Sequence, residues 1–165
     1  GTLGDAGAGL DILKNALNVS GEAKDVLINR HYFPTPRVAV GTAIRRIATS
    51  CIDISDGLLS DLKHILKASE CGAKIHVDRL PLSRALTSAV SPEQAIEYAL
   101  SAGDDYELIF TVGEEQRGSL ETSLASTNVK ATCIGQLTGQ AGVLSLMHNN
   151  EKFTPQNPSG YEHSF

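Results

Sequence analysis

The sequence predicts an α+β domain in which a mixed, largely antiparallel sheet is packed with helices. Three observations lead there. Apolar residues recur at helical spacing in some segments and at alternating spacing in others, but these segments follow one another irregularly, without the βαβ rhythm of a doubly wound sheet. The last two strand-like segments are separated by a short glycine-containing turn, which implies a hairpin. A hydrophobic fraction of 41% over 165 residues suits one compact core.

Taken in order, Leu10, Leu13, Ala16 and Leu17 recur at helical spacing, Val19-Ser20-Gly21 interrupts them, and Glu22 to Ile28 resumes a helix. Pro34 and Pro36 force an extended connector, because the residue before a proline is pushed out of the α region. Val38 to Ala48 forms a third helix. Ser50 to Ser55 reads as a strand with Cys51, Asp53 and Ser55 on one face and Ile52 and Ile54 on the other. Leu58, Leu59, Leu62, Ile65 and Leu66 trace the stripe of an amphipathic helix, which Gly72 is placed to end. Lys74 to Val77 is a second strand and Ser83 to Val90 a short helix. Ser91, Pro92 and Glu93 supply the N-cap, first position and first-turn acid of a helix running to about Ala102, ended by Gly103. Tyr106 to Val112 alternates as a third strand, and Gly113-Glu114 opens a helix through about Ser126. Ala131 to Gln136 and Val143 to His148 are the last two strands, and the Asn- and Pro-rich remainder reads as an irregular tail.

Charge narrows the functional classes. Acids outnumber bases, 19 against 14, for a net charge of −5, and no basic stripe marks any helix, so binding to nucleic acid by phosphate neutralisation is disfavoured. An acidic protein that binds an anionic nucleotide generally needs a divalent cation between its carboxylates and the phosphates. Cys51, Cys71 and Cys133 are odd in number and far apart, which suggests neither a disulfide framework nor a zinc site and fits a reducing cytoplasm. No apolar run approaches the roughly 20 residues of a membrane span. The opening Gly1-Thr2-Leu3-Gly4 reads as the tail of an element that began earlier, as expected of an excised fragment.

Chemistry concentrates in Asp53-Ile54-Ser55-Asp56-Gly57. The strand period puts Asp53 and Ser55 on one face, and Asp56 stands at the turn into the helix. Carboxylates at a helix N-terminus would repel a phosphate drawn to the same amides, unless Mg²⁺ lies between them. The same residues can equally be a helix cap beside a solvated acid. Gly103-Asp104-Asp105-Tyr106-Glu107 could bind a cationic or hydroxyl-bearing substrate, but on residues alone an exposed helix-to-strand turn is preferred. Asp61 reads as an ordinary exposed residue of the first helical turns, and His64 as part of a solvated helix face. Gly4-x-x-Gly7-x-Gly9 lacks the features of a phosphate loop and reads as a flexible connector. No nucleophile and base pairing, and no catalytic His, can be assigned.

Several segments in order resemble the thiamine-phosphate kinases, within the superfamily of aminoimidazole ribonucleotide synthetase. They are Gly1 to Leu10, the Arg30-His31-Tyr32-Phe33-Pro34-Thr35-Pro36-Arg37 segment, Cys51 to Asp61, Ser101 to Leu108, and Gly160-Tyr161-Glu162-His163. The resemblance covers essentially the whole chain but about half of a family member. It implies the fold of the synthetase carboxyl-terminal domain, with residues 1–36 as an interdomain crossing and leading helices, residues 37–165 as the carboxyl-terminal α+β domain, and an amino-terminal ATP-binding domain outside this chain. It further implies that Asp53 and Asp56 bind Mg²⁺, that Ser55 contacts ATP, and that Asp104 and Tyr161 contact thiamine phosphate. Where family members often carry Gly-Glu-Asp-Tyr-Glu-Leu, this chain has Asp104 in place of the first acid, one methylene shorter. The implied reaction moves the γ-phosphoryl group of ATP onto thiamine phosphate in a homodimeric full-length enzyme, and the isolated half is expected to be inactive. The alternatives are another ATP-dependent member of the superfamily and a non-catalytic interaction domain.

Overall fold

A computed structural model describes residues 1–156; the expected substrate residue Tyr161 lies outside the described residues. The chain opens with α1 (Asp5–Leu13) and α2 (Gly21–Tyr32), which pack on each other. Residues Gly4 to Gly9 are not a flexible connector: they form the buried start of α1, because glycine lets backbones meet. A side chain at Gly9 would strike the Leu27 carbonyl of α2, and one at Gly7 would strike Ala102. The Tyr98 hydroxyl donates to Asp11 at 2.7 Å and ties α1 to a later helix. After the Pro34 and Pro36 connector comes α3 (Val38–Ile44), shorter than its apolar residues suggest.

Strand β1 (Ala48–Asp53) leads through a tight turn into α4 (Leu58–Ala68), and β2 (Gly72–His76) follows. Next are α5 (Arg84–Ala89) and α6 (Pro92–Ser101), the latter opened by the expected Ser91 cap, here a full capping box with Gln94. The chain continues through β3 (Leu108–Val112), α7 (Arg117–Leu124), β4 (Gly135–Thr138), β5 (Leu144–His148) and β6 (Glu151–Lys152).

The strands form two sheets. β1 pairs antiparallel with β3, and a four-stranded sheet runs in the order β4-β2-β5-β6, with β2 and β5 parallel and the other neighbours antiparallel. The mixed, mainly antiparallel α+β architecture agrees with the sequence. The expected hairpin between β4 and β5 does not form. Both strands pair with β2, one on each side, and the segment between them arches over the start of β2, where Gly142 N donates to Cys71 O and Ala73 N to Val143 O. The last hairpin joins β5 to β6 instead, within the stretch read as an irregular tail. Asn149 and Asn150 adopt φ of 50° and 67°, the pair of left-handed residues that a type I′ turn demands and that Asn tolerates.

The main core gathers Ile54, Leu58, Leu59, Leu62, Ile65 and Leu66 from the strand-turn-helix unit against β2, α6 and Leu146 of β5. Each such side chain contributes roughly 1.5–3 kcal/mol by leaving water, so the turn between β1 and α4 is anchored on both sides. A second cluster, with Ala8, Ile12, Leu27, Leu86 and Ala95, joins α1, α2, α5 and α6, and a third packs α3 on α7.

Candidate functional site

The site grows out of the end of β1. Burial alternates along this strand as the sequence predicts, with Cys51 and Asp53 exposed and Ile52 and Ile54 facing inward. Ser55 and Asp56 follow in the turn and are partly exposed. Gly57 then adopts φ 103° and ψ 150°, a conformation nearly confined to glycine, and its Cα lies so close to the end of α6 that an added Cβ would sit 2.8 Å from the Ser101 carbonyl.

Beside this turn runs the second acidic segment. The pairing of β1 with β3 continues past the strand ends: Ile54 N donates to Glu107 O at 2.8 Å, Tyr106 N to Ile54 O at 2.9 Å, and Asp104 N to Ser55 O at 2.9 Å. This ladder brings Asp53, Ser55 and Asp56 alongside Asp104, about 50 positions later in the sequence. Asp104 and Tyr106 both have positive φ, 66° and 50°, so the segment zigzags and its residues are sent in different directions.

Those directions overturn the reading of residues 104 to 107 as an exposed turn. Asp104 is partly exposed, but Asp105 and Glu107 are only 2% and 4% exposed. Asp105 accepts from Gly4 N at 2.7 Å and Ala6 N at 3.4 Å, and so caps the start of α1. Burial, which these two amides only partly offset, pushes its carboxyl up to about 7. Glu107 shares the inward face of its strand with Ile109 and receives Arg37 Nε at 2.7 Å, Arg37 Nη2 at 2.6 Å and Arg30 Nη2 at 3.0 Å. Burial alone would raise the Glu107 carboxyl; the bonds from Arg37 and Arg30 oppose it, and the carboxyl is held below the usual range.

Asp61 is also buried, at 3% exposure, not solvated as its sequence context suggests. Its Oδ2 reaches back from α4 and accepts from Ser55 N at 2.9 Å and Asp56 N at 3.1 Å. Burial pushes its carboxyl up, and repulsion from Asp56 and Asp53 adds to that, while the two amides oppose it. His64 lies exposed on α4, as expected.

A groove of about 440 Å³ opens next to Asp53, with Pro34, Pro36, Arg37, Tyr106 and Leu108 among its walls. Arg37 thus serves both the groove and Glu107. The sequence offered a signal for these arginines in their placement, one on each side of the Pro34-x-Pro36 connector. It offered one for Glu107 in an acid at the head of an otherwise apolar strand, which, if buried, calls for a cationic partner.

Asp53, Ser55 and Asp56 could supply only part of a metal's coordination shell. Among the described residues no group of three His, Cys, Asp or Glu side chains could hold an ion unaided. Two carboxylates at one strand end, with a neighbouring hydroxyl, nevertheless fit Mg²⁺, which commonly takes one or two protein carboxylates and fills its octahedron with water and phosphate oxygens. No helix is long and apolar enough to cross a membrane among the described residues.

Residues 1–146 match the family model for the AIR synthase related protein, C-terminal domain. The chain is 51% identical over 165 residues to the thiamine-monophosphate kinase of Escherichia coli strain K12, an alignment covering 99% of this chain and 50% of that protein. It superposes on the crystal structure of thiamine-monophosphate kinase from Stenotrophomonas maltophilia K279a with TM-score 0.81 and 38% identity, over 92% of this chain and 48% of that one. A solved complex of AaThiL with AMPPCP and TMP aligns with TM-score 0.75 and 32% identity, over 94% and 47%. The chain therefore spans about half the length of the relatives it matches.

Proposed function

The chain belongs to the family of AIR synthase related C-terminal domains, and from that membership we propose that it forms the carboxyl-terminal half of a thiamine-phosphate kinase. The full-length enzyme moves the γ-phosphoryl group of ATP onto the phosphate of thiamine phosphate, giving thiamine diphosphate. The observation that most directly supports this reading is the ladder that sets Asp53-x-Ser55-Asp56 beside Asp104, one acidic motif suited to a metal-nucleotide and the other to a cationic acceptor.

In this proposal Asp53 and Asp56 hold Mg²⁺ and Ser55 donates its hydroxyl to a nucleotide phosphate. Bound Mg²⁺ neutralises the phosphates of the two substrates, which otherwise repel. Asp104 and Tyr161 face thiamine phosphate, the carboxylate attracting the thiazolium cation and the phenol ring offering a π face. No strong general base is required, because a phosphate monoester with a second pKa of roughly 6 is already largely ionised near neutral pH. What remains for the protein is alignment and charge neutralisation. The groove beside Asp53 has the apolar walls to exclude water from one side of such a site. On the same family membership the enzyme is proposed to act as a cytoplasmic homodimer, whose amino-terminal halves complete the metal shell. The carboxyl-terminal half alone then lacks turnover.

The test is ATP-dependent formation of thiamine diphosphate by the full-length protein and by its Asp53→Ala variant. The variant should lose on the order of 100-fold or more in kcat, at least the loss typical of disturbing a metal's outer partners. Unchanged turnover by Asp53→Ala, or no thiamine diphosphate from the intact protein, would refute the assignment.

A further inference from the structure

Asp61 is a third carboxylate within the acidic corner that carries the proposed metal ligands, and it is withdrawn from solvent. Three acids in one place repel, and burying one of them adds a desolvation cost. A helix cap does not account for it. The N-cap position is Gly57, which makes no side-chain cap bond, whereas Asp61 lies four residues further on and reaches back past the helix start. Its acceptor oxygen is aimed at the loop before the helix, and both bonds end on one atom, Oδ2, at 2.9 Å from Ser55 N and 3.1 Å from Asp56 N.

We propose that Asp61 is a positioning residue that clasps the Ser55–Asp56 backbone and so sets where Asp53, Ser55 and Asp56 present their oxygens to a divalent cation and nucleotide phosphate. Two amides fixed to one atom leave the peptide planes at Ser55 and Asp56 little freedom, and those planes direct the Cβ atoms of both residues. The clasp is itself anchored. Leu58, Leu59 and Leu62, on the same turns of α4, are buried in the main core, and Asp61 N donates to Gly57 O at 3.0 Å. On the other side of the loop Asp104 N bonds Ser55 O at 2.9 Å, so Ser55 is held through both its amide and its carbonyl. A loop held from both sides keeps its geometry when phosphate arrives, which is what alignment of two anions requires.

This inference rests on the metal reading of Asp53 and Asp56, and its test separates the two. Mn²⁺ binding to the full-length protein is followed by electron paramagnetic resonance in the presence of a non-hydrolysable ATP analogue, for wild type and for Asp53→Ala, Asp61→Ala, Asp61→Asn and Asp61→Glu, each checked for folding by circular dichroism. Because both amides meet a single oxygen, Asn can keep the clasp without the charge, while Glu keeps the charge and displaces the oxygen by a methylene. Asp61→Asn should bind Mn²⁺ within about threefold of wild type, and Asp61→Ala and Asp61→Glu should each lose about tenfold or more, the range found when a ligand's supporting partner is removed. Should Asp61→Ala fail to fold, the Asn and Glu variants still decide. Wild-type affinity in Asp61→Glu together with loss in Asp61→Asn would make charge or direct ligation the role of Asp61 and overturn the clasp. Wild-type affinity in Asp61→Ala would overturn it as well. If Asp53→Ala binds Mn²⁺ like wild type, the metal reading fails instead.

Discussion

Replacing Glu107 with Ala removes the acceptor for three short bonds from Arg30 and Arg37 and leaves both guanidinium groups facing a largely closed space. Breaking a buried ion pair by deleting one partner typically costs about 3–5 kcal/mol, mostly the cost of the charge left behind. Here the carboxylate is buried but the arginine side chains keep 17–18% exposure and can recover some hydration, so the expected loss is at the lower end, about 3 kcal/mol. For a chain of this length that corresponds to a Tm lower by about 6–12 °C. Urea unfolding followed by far-ultraviolet circular dichroism gives the same quantity from the midpoint, with an unchanged m-value showing that the folded state is still compact. Arg37→Ala alone should cost about 2 kcal/mol, and the double variant less than the sum by about 1–2 kcal/mol, because one bidentate contact is counted twice. Since the Glu107 carboxyl is held below its unfolded value, its stabilisation is present above the unfolded carboxylate pKa and fades as pH falls through the folded one. The gap between wild type and Glu107→Ala should therefore narrow under acid conditions below about pH 4. A loss under about 1 kcal/mol at neutral pH, or strict additivity with Arg37→Ala, would refute the clamp.

Two further outcomes follow from the same geometry. Asp105, pushed up to about 7, has the opposite sign: its contribution is fully present below the unfolded carboxylate pKa and is lost as pH rises through about 7. Asp105→Asn, which retains an acceptor for Gly4 N, should remove that decline, so unfolding curves of the two proteins taken between pH 4 and 8 should converge at the acid end and separate at the alkaline end in favour of Asn; parallel curves would contradict it. Gly57→Ala combines a backbone conformation that L-residues rarely adopt with a contact to the Ser101 carbonyl, and should lower stability by about 2–3 kcal/mol in thermal melts. A change below about 0.5 kcal/mol would mean that the turn relaxes freely.

Much of the fold was legible because its signals are local. The 3.6-residue stripe from Leu58 to Leu66, the Ser91-Pro92 helix start and the alternation along β1 each depend on neighbours a few residues away, and each appears where expected; along β3 the burial does not alternate, and Ile109, not the Leu108 and Phe110 face, turns into the main core. The β4–β5 hairpin failed for the complementary reason. A short glycine-containing turn permits strands to pair, but β2, from far earlier in the chain, inserts between them and takes the backbone bonds of both. The Asn149-Asn150 turn was within reach of sequence reading, since adjacent asparagines suit two left-handed positions; the tail's overall polarity obscured it.

The family membership and the α+β class were in the order of the motifs, and so was the pairing of an acidic strand end with a following amphipathic helix. Only the tertiary structure decided what each acid does. Asp61, Asp105 and Glu107 look alike on the page as polar residues near turns, yet all three are buried, one on the amides of Ser55 and Asp56, one on the start of α1 and one between two arginines. Asp53 and Asp104 stay open to solvent in part or in full. The physical reason is that a carboxylate's role depends on which donors come within about 3 Å of it, and those donors arrive from residues up to about a hundred positions away, carried by strand pairing and by close backbone contacts that local periodicity does not encode.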